Sequence, residues 1–504
     1  MDNKVRIKVI PPVFWLGISV LILYLILEGL TPLKRELIKS LSPEPAVCQE
    51  NSKTFYNLTV KFCEENYSLE CTARINYYNY TAQELEEIYF YLYPKAFENT
   101  KPPFDKSYWL RPAASYKPGK VVLEKITAAG QTGDYLVDNT SLKVELPRPL
   151  KPGDRAGINI NYRLFLPQCQ GRYGYANQTI QCGNWYPVAA VYEDNQWQTA
   201  PYYPLGDPFY SKIADYTVKI ILPPGWKGAA TGTLEEYSFA DGQSLLLYSA
   251  ENIRDFAWVA SKKYQEYVEK SAEPLIRSYV WKGDMDLGRE TVKIARQAMS
   301  VFNRIYGIYP YKEMKIAEVD FYQGGMEYPQ IVYISSLFYQ PANRDFLEFT
   351  LVHELAHQWW YGVVGNNQVR EPWLDEALTN YSVFLYYQEI YGQEEMQQVM
   401  QKYLGEPLQV QKPVARPLSG YHSMNEYSRF VYDQGTWVVH DIYSVLGREK
   451  FLKVMRRYYQ RFSYREATID DFREIIEEIS GQNWHDFFQA KLYNNELKEE
   501  SVSF

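Results

Sequence analysis

Two histidines and a glutamate are spaced along the chain in a way that suits a metal site. His353, Glu354 and His357 stand in the order H-E-x-x-H. On a helix, residues four positions apart lie on one face about 6 Å from each other, so both imidazoles can bind one tetrahedral zinc ion. Glu354 can flank the metal without binding it and can take a proton from the water that zinc activates. The alternative is a buried helix with two structural histidines.

A third ligand is expected downstream, because catalytic zinc takes three protein ligands and keeps one position open for water. Eighteen residues separate His357 from Glu376, which lies in the segment PWLDEALTNY that opens a second helix after a proline. We predict that Glu376 completes the site, with one zinc ion per chain. The alternative is that Glu376 is an ordinary acidic residue in the first turn of the helix, where the helix dipole favours a negative charge.

The composition of the chain bounds its size and its partners. At 504 residues, 46% of them hydrophobic, the chain is long enough for two or three domains with real cores. The net charge of −8 argues against a nucleic-acid partner. The sequence leaves the oligomeric state open.

Two kinds of periodicity divide the chain. Apolar and polar residues alternate from about residue 55 to 262, with turn signals such as Lys151-Pro-Gly153, which predicts an antiparallel β-sandwich-like domain over 46–265. Helical spacing prevails from about residue 290 and predicts a mainly helical catalytic domain over 266–504. Within it we expect short strands at 314–319 and 331–334, the metal helix at 345–361, and later helices at 450–459, 469–480 and 484–491. The fold class is therefore α+β and multidomain.

The N-terminal segment 1–45 is predicted to hold a cytoplasmic tail, a signal anchor and a tether. Lys4, Arg6 and Lys8 precede an almost wholly apolar stretch, Val13 to Leu27, and no cleavage site of the Ala-x-Ala type follows it. We therefore expect a single-pass membrane protein with its catalytic domain outside the cytoplasm. The alternative is secretion after cleavage of a signal peptide.

Five cysteines lie in the first 182 residues, away from the H-E-x-x-H motif. Their spacings match no zinc site. Export would make disulfides plausible, and the first local pairings to consider are Cys63–Cys71 and Cys169–Cys182, which leave Cys48 over. The alternative is five unpaired thiols.

The segment GGMEYP, which begins at Gly324, precedes the metal motif and ends close to a predicted edge strand. Paired glycines let backbone come close to a ligand. Together with H-E-x-x-H and Glu376, this segment resembles the zinc aminopeptidases of the gluzincin clan, the family of alanyl aminopeptidase and leukotriene hydrolase. The resemblance implies a β domain followed by a thermolysin-like catalytic domain. Many members add a large helical C-terminal domain, which we expect this chain to lack.

The resemblance also assigns roles to residues of the GGME loop. Gly324, Gly325 and Met326 would bind the substrate, and Glu327 would bind its free α-ammonium. A fixed carboxylate there selects peptides with a free N-terminus, because a blocked amine leaves the buried charge unpaired. Tyr328 replaces the asparagine that usually ends the family motif.

Two further family residues differ in how well they can be placed. The segment YSRFVYDQG, which ends at Gly435, resembles the family's Tyr-x-x-Gly segment, so Tyr432 would stabilise the tetrahedral oxyanion. A glutamine of the family's β domain also contacts the substrate amine, and the sequence does not place it.

The prediction is a zinc-dependent aminopeptidase that hydrolyses N-terminal residues from peptides. Its partners would be peptides with a free N-terminus and, through the N-terminal segment, a membrane. One alternative is a zinc endopeptidase or another zinc hydrolase, such as an enzyme like epoxide hydrolase. A second alternative is an inactive, membrane-tethered binding protein.

Overall fold

The computed structural model describes residues 52–105, 116–269, 274–407 and 412–493. The predicted anchor segment 13–27 and Cys48 lie outside the described residues, so membrane attachment stays a prediction. In the part of the chain that the structure describes, no helix is long and apolar enough to cross a membrane.

The first half of the described chain is built from β-sheets. The strands of the eight-stranded sheet are, in spatial order, Thr233–Ala240, Gln243–Ile253, Ala214–Leu222, Thr54–Cys63, Ser68–Tyr78, Arg155–Phe165, Lys120–Ala128 and Gln131–Thr132. The strands of the two four-stranded sheets are Val188–Ala189, Leu85–Tyr91, Ser141–Leu150 and Tyr135–Asp138, and Lys227–Ala230, Trp258–Ser261, Thr179–Cys182 and Tyr173–Ala176. Tyr192–Glu193 and Gln196–Trp197 form a hairpin. This sheet-rich half agrees with the predicted β domain.

Alternation of side chains explains why these strands pack as layers. Leu58 and Val60 point from one strand of the large sheet into the core, and Ile88 and Trp258 enter the same core from the two smaller sheets. The predicted antiparallel pairing is wrong at one place, because Thr54–Cys63 runs parallel to Ala214–Leu222. A parallel pair is possible here because about 150 residues connect the two strands, far more than a hairpin turn.

The second half combines one sheet with helices, which fits the predicted α+β class. Its sheet has the strand order Tyr264–Glu269, Leu275–Trp281, Glu313–Val319, Ile331–Ser335 and Gly325–Met326, and it contains both strands predicted there. The α-helices are Met285–Ile305, Arg344–Ala356, Trp373–Tyr391, Gln393–Leu404, Met424–Tyr427, Gly435–Phe462, Ile469–Ser480 and His485–Leu492. A π-helix spans Ser428–Gln434, and short 3-10 turns are Glu64–Asn66, Tyr93–Glu98, Pro341–Asn343 and Leu418–Gly420.

The metal helix, Arg344–Ala356, is shorter than the predicted 345–361. It packs on the strand Ile331–Ser335 and on the helices Met285–Ile305 and Trp373–Tyr391. His357 caps it with αR backbone, and the chain then enters tight turns. The apolar residues that follow His357 are buried in these turns. Their hydrophobicity therefore fits burial in turns as well as a longer helix, and the sequence alone did not separate the two.

The four described cysteines are free thiols. Cys63 lies opposite Ser68 in the antiparallel pair, whereas Cys71 lies opposite Val60. This offset of three positions separates Cys63 and Cys71 by about 10 Å, farther than a disulfide spans. Neither suggested pairing, Cys63–Cys71 or Cys169–Cys182, is formed in the described chain.

Candidate metal centre and active site

Three buried side chains converge at the end of the metal helix. His353 Nε2 and His357 Nε2 lie 3.2 Å apart. Glu376 Oε2 lies 3.4 Å from the first nitrogen and 3.2 Å from the second. Ligands about 2.1 Å from a tetrahedral zinc ion are about 3.4 Å apart, so these three atoms have the spacing of a zinc ligand set.

The orientation of His357 makes its inner nitrogen an acceptor available to a metal rather than a hydrogen-bond donor. Its Nδ1 lies 3.0 Å from the Trp360 carbonyl oxygen and 3.0 Å from Thr379 Oγ1. When Nδ1 carries the proton, its N–H donates to that carbonyl and Nε2 is left as an acceptor. Nε2 then faces a second acceptor, the Glu376 carboxylate, and a cation is the partner that satisfies both. The residues therefore fit zinc.

The charges around the triad favour a positive charge at its centre. Burial raises the pKa of Glu376, but contacts with His353 and His357 outweigh it and hold this pKa well below its usual range. Burial alone would lower the pKa of His357. The negative charges of Glu327 and Glu376 outweigh this effect, and the pKa of His357 is raised. A divalent cation satisfies the same demand.

Glu354 lies beside the triad with one carboxylate oxygen buried and without a hydrogen-bond partner among the described residues. Burial first, and then the neighbouring Glu327, raise its pKa well above the usual value. Gly325 approaches this carboxylate so closely that a Cβ there would lie 2.2 Å from Glu354 Oε1. The glycine therefore makes room for a carboxylate that can accept a proton from water.

Glu327 follows the edge strand Gly325–Met326, which pairs with Ile331–Ser335 and ends the five-stranded sheet. It is 4% exposed, and its Oε1 is buried with no hydrogen-bond partner in the described chain. Burial, reinforced by the charge of Asp207, raises the pKa of Glu327 to about 8. A buried carboxylate without a partner is costly, so it suits a site that a cationic ligand completes.

Tyr432 reaches the triad from the π-helix Ser428–Gln434. Its hydroxyl donates a 2.5 Å hydrogen bond to Glu376 Oε1, the carboxylate oxygen that the imidazoles do not face. Close helix packing places it there, since a Cβ at Gly435 would lie 2.6 Å from Trp373 Cδ1. The Tyr-x-x-Gly spacing is thus explained by the contact between two helices.

All nine predicted site residues line one cavity of about 160 Å³. They are His353, Glu354, His357, Glu376, Gly324, Gly325, Met326, Glu327 and Tyr432. Tyr328 does not belong to them: it is fully buried, and its hydroxyl lies 3.4 Å from Asn184 Oδ1. Its bulk fits because position 183 is glycine, where a Cβ would overlap the Tyr328 hydroxyl at 1.6 Å.

Arg172, Asp207 and Gln323 also line the cavity and were not predicted from the sequence. Arg172 Nη1 donates to Asp207 Oδ1 over 2.7 Å, and Nη2 donates to the Gly206 carbonyl and to Gln323 Oε1. Burial raises the pKa of Asp207, and Arg172 opposes this. The β half of the chain thus supplies a carboxylate to the cleft. A buried Arg–Asp pair 35 residues apart leaves no periodic signal that could have revealed it.

Comparison with known proteins agrees with this geometry. Residues 290–490 match the model of the peptidase family M1 domain. Aminopeptidase M1-B of Oryza sativa subsp. japonica is 22% identical over 268 residues, which are 47% of this chain and 31% of the relative. Glutamyl aminopeptidase of Sus scrofa is 24% identical over 293 residues, 54% of this chain and 31% of the relative. The chain thus spans under a third of the length of these curated relatives.

Solved structures resemble the fold over most of its length. A mutant M1 zinc metallopeptidase from Deinococcus radiodurans superposes with a TM-score of 0.62 at 15% identity, covering 89% of this chain and 95% of that one. The same mutant bound to a Tyr-Ser-Ala substrate gives a TM-score of 0.62 over 88% of this chain and 94% of that one. The predicted resemblance to gluzincin aminopeptidases is confirmed by the family match over residues 290–490, and the solved zinc metallopeptidase structures share its fold.

Proposed function

We propose that this M1-type metallopeptidase is an aminopeptidase, which removes one residue at a time from peptides with a free N-terminus. The observation that carries the proposal is Glu327, a buried carboxylate with an unpartnered oxygen beside Glu354 and the metal ligands. A substrate ammonium supplies the missing positive charge, and a blocked amine does not.

The edge strand supports this placement of the substrate. Gly325–Met326 pairs with Ile331–Ser335 on one side and has no strand on the other among the described residues. An extended peptide can add to such an edge through main-chain hydrogen bonds. Glu327 follows the strand directly. Its carboxylate therefore ends the space for the peptide there, so that only one substrate residue lies between Glu327 and the scissile bond. Asp207 places a second negative charge near the same end of the cleft.

The chain's own residues divide the chemistry. Zinc, when bound by His353, His357 and Glu376, supplies a Lewis acid that acidifies water and polarises the scissile carbonyl. Glu354 takes the proton of the attacking water and passes it to the leaving amine. Tyr432 donates its hydroxyl to the oxygen on which negative charge develops. The low solvent exposure of these groups strengthens each of these interactions.

The alternatives explain less of the cleft. An endopeptidase must pass substrate on both sides of the scissile bond, and the buried charge of Glu327 would then face a neutral peptide group. An inactive binding protein would have no use for a base that is kept clear by Gly325 beside three metal ligands. We therefore favour exopeptidase activity over both.

A substrate panel tests the proposal. Free and N-acetylated aminoacyl fluorogenic amides are compared with zinc-loaded protein, before and after treatment with a chelator. The expected result is release from the free substrates alone and its loss with the chelator. Equal rates on free and acetylated substrates would overturn the aminopeptidase proposal in favour of an endopeptidase.

Membrane attachment is a separate proposal that is supported by the apolar segment 13–27 and its flanking positive charges. Alkaline extraction of membranes from cells that express the full chain tests it. We expect the protein to stay with the lipid pellet, and its release into the supernatant would contradict an anchor.

A further inference from the structure

The turn that follows the metal helix has a strained backbone. Tyr361 has a φ of 123°, a backbone conformation that residues other than glycine rarely adopt. Its N–H donates to the Val364 carbonyl over 2.8 Å, which closes the turn. The residue before it, Trp360, supplies the carbonyl that lies 3.0 Å from His357 Nδ1. The orientation of a metal ligand therefore depends on a peptide unit next to a strained residue.

Arg254, from the β half of the chain, holds this turn in place. Its Nε donates to the Tyr361 carbonyl over 2.8 Å. Arg254 is 2% exposed, and it approaches so closely that a Cβ at Gly365 would lie 2.1 Å from its guanidinium carbon. The carbonyls of Trp360 and Tyr361 are thus both fixed by side chains, the first by His357 and the second by Arg254.

The other nitrogens of Arg254 connect the turn to a third part of the chain. Nη1 donates to Glu466 Oε1 over 2.6 Å, and Nη2 donates to the Arg465 carbonyl over 2.6 Å. Gly365 N–H donates to the same carbonyl over 2.9 Å. Lys212 pairs with Glu466 from the far side. Arg254 therefore joins the β half, the turn and the segment before the helix Ile469–Ser480 at a single buried point.

We infer that Arg254 is a positioning residue for the metal ligand His357. By holding the Tyr361 carbonyl, it keeps the strained turn in the one conformation in which the Trp360 carbonyl orients the imidazole. The β half of the chain thus contributes to zinc affinity without touching zinc. Hydrogen bonds that orient metal ligands typically change metal affinity by about tenfold to a hundredfold.

The test compares Arg254→Lys with a matched control. Lysine keeps the charge but cannot donate to Tyr361, Arg465 and Glu466 together. Arg473→Lys is the control, because Arg473 also donates from several guanidinium nitrogens, here to the carboxylates of Asp470 and Glu477 on its own helix. Zinc affinity is measured by competition with a chromophoric chelator, and the thermal unfolding midpoint of the metal-free protein is measured alongside.

We expect Arg254→Lys to weaken zinc binding tenfold or more and to lower kcat with little change in KM. Arg473→Lys should bind zinc as the wild type does. If Arg254→Lys does not fold, Glu466→Gln replaces it, with zinc binding weakened threefold or more. Unchanged zinc affinity in whichever of these two variants folds would overturn the inference. Since the readout is metal binding, the result does not depend on which peptides are cleaved.

Discussion

The Tyr432 hydroxyl donates a 2.5 Å hydrogen bond to Glu376 Oε1, while Glu376 Oε2 faces the two imidazoles. The same phenol therefore holds the carboxylate that faces the imidazoles in the absence of substrate. To stabilise a developing oxyanion, it must exchange this partner for the substrate oxygen. Its position on a π-helix, a rare geometry that often occurs at functional sites, fits a side chain placed for a specific role.

Replacing Tyr432 by phenylalanine separates these two roles. We expect kcat to fall about a hundredfold, since one oxyanion donor contributes about 3 kcal/mol to the barrier, with KM little changed. Zinc affinity should fall less than tenfold, because all three ligands remain. Steady-state kinetics and a chelator competition give both numbers. A large loss of zinc with an unchanged kcat in the loaded enzyme would assign Tyr432 to metal support alone.

Gly325 and Gly324 form a matched pair for testing the room around the base. Gly325→Ala puts a Cβ 2.2 Å from Glu354 Oε1, and the carboxylate is the part that can move. We expect at least a tenfold loss of kcat, with fold and zinc content retained. In Gly324→Ala the nearest atom is Phe338 Cε2 at 3.3 Å, so its activity should stay within about threefold. Equal activity of the two variants would show that Glu354 does not act at that position.

Glu327→Gln tests recognition of the substrate amine. The variant keeps the shape of the side chain but loses its charge, so binding of an ammonium should weaken by about 2 kcal/mol, roughly thirtyfold in kcat/KM. The rate on acetylated substrates should not fall. The ratio of kcat/KM for free and acetylated substrates is therefore the quantity to measure, and an unchanged ratio would remove Glu327 from amine recognition.

Glu318 offers a test of the fold through pH. Burial raises its pKa to about 8, opposed by the Trp281 N–H that donates to its Oε2 over 2.8 Å. A carboxyl whose pKa is higher in the folded state destabilises it as pH rises from about 4.5 to 8. Glu318→Gln removes that loss, so its unfolding midpoint should exceed the wild type by more at pH 8 than at pH 5. The same difference at both pH values would contradict a buried, protonated Glu318.

Local spacing was enough to predict that His353, His357 and Glu376 converge. H-E-x-x-H fixes two ligands because a helix has a fixed repeat, and the structure keeps His357 in helical backbone although the helix itself ends at Ala356. Glu376 was predictable because it opens the next helix. The GGME loop could be placed because paired glycines before the metal motif resemble the family segment, and the structure shows that Gly325 approaches Glu354 closely.

Contacts between distant segments could not be predicted. Arg172, Asp207 and Arg254 come from the β half of the chain. There the alternation of apolar and polar residues predicts which face of a strand is buried, but it does not predict which loop lies against the catalytic cleft. The parallel pairing of Thr54–Cys63 with Ala214–Leu222 was missed for the same reason, since alternation is identical in parallel and antiparallel strands. The fold class was therefore easier to predict than the registers that complete the site.

Product analysis by mass spectrometry tests aminopeptidase activity without relying on a fluorogenic substrate. A decapeptide with a free N-terminus and its N-acetylated twin are incubated with the zinc-loaded protein, and Glu354→Gln serves as the inactive control. We expect a ladder of products that lack one, two and three N-terminal residues, no cleavage of the acetylated twin, and no products from the control despite bound zinc. Internal cleavage of both peptides, or a ladder from Glu354→Gln at the wild-type rate, would contradict this expectation.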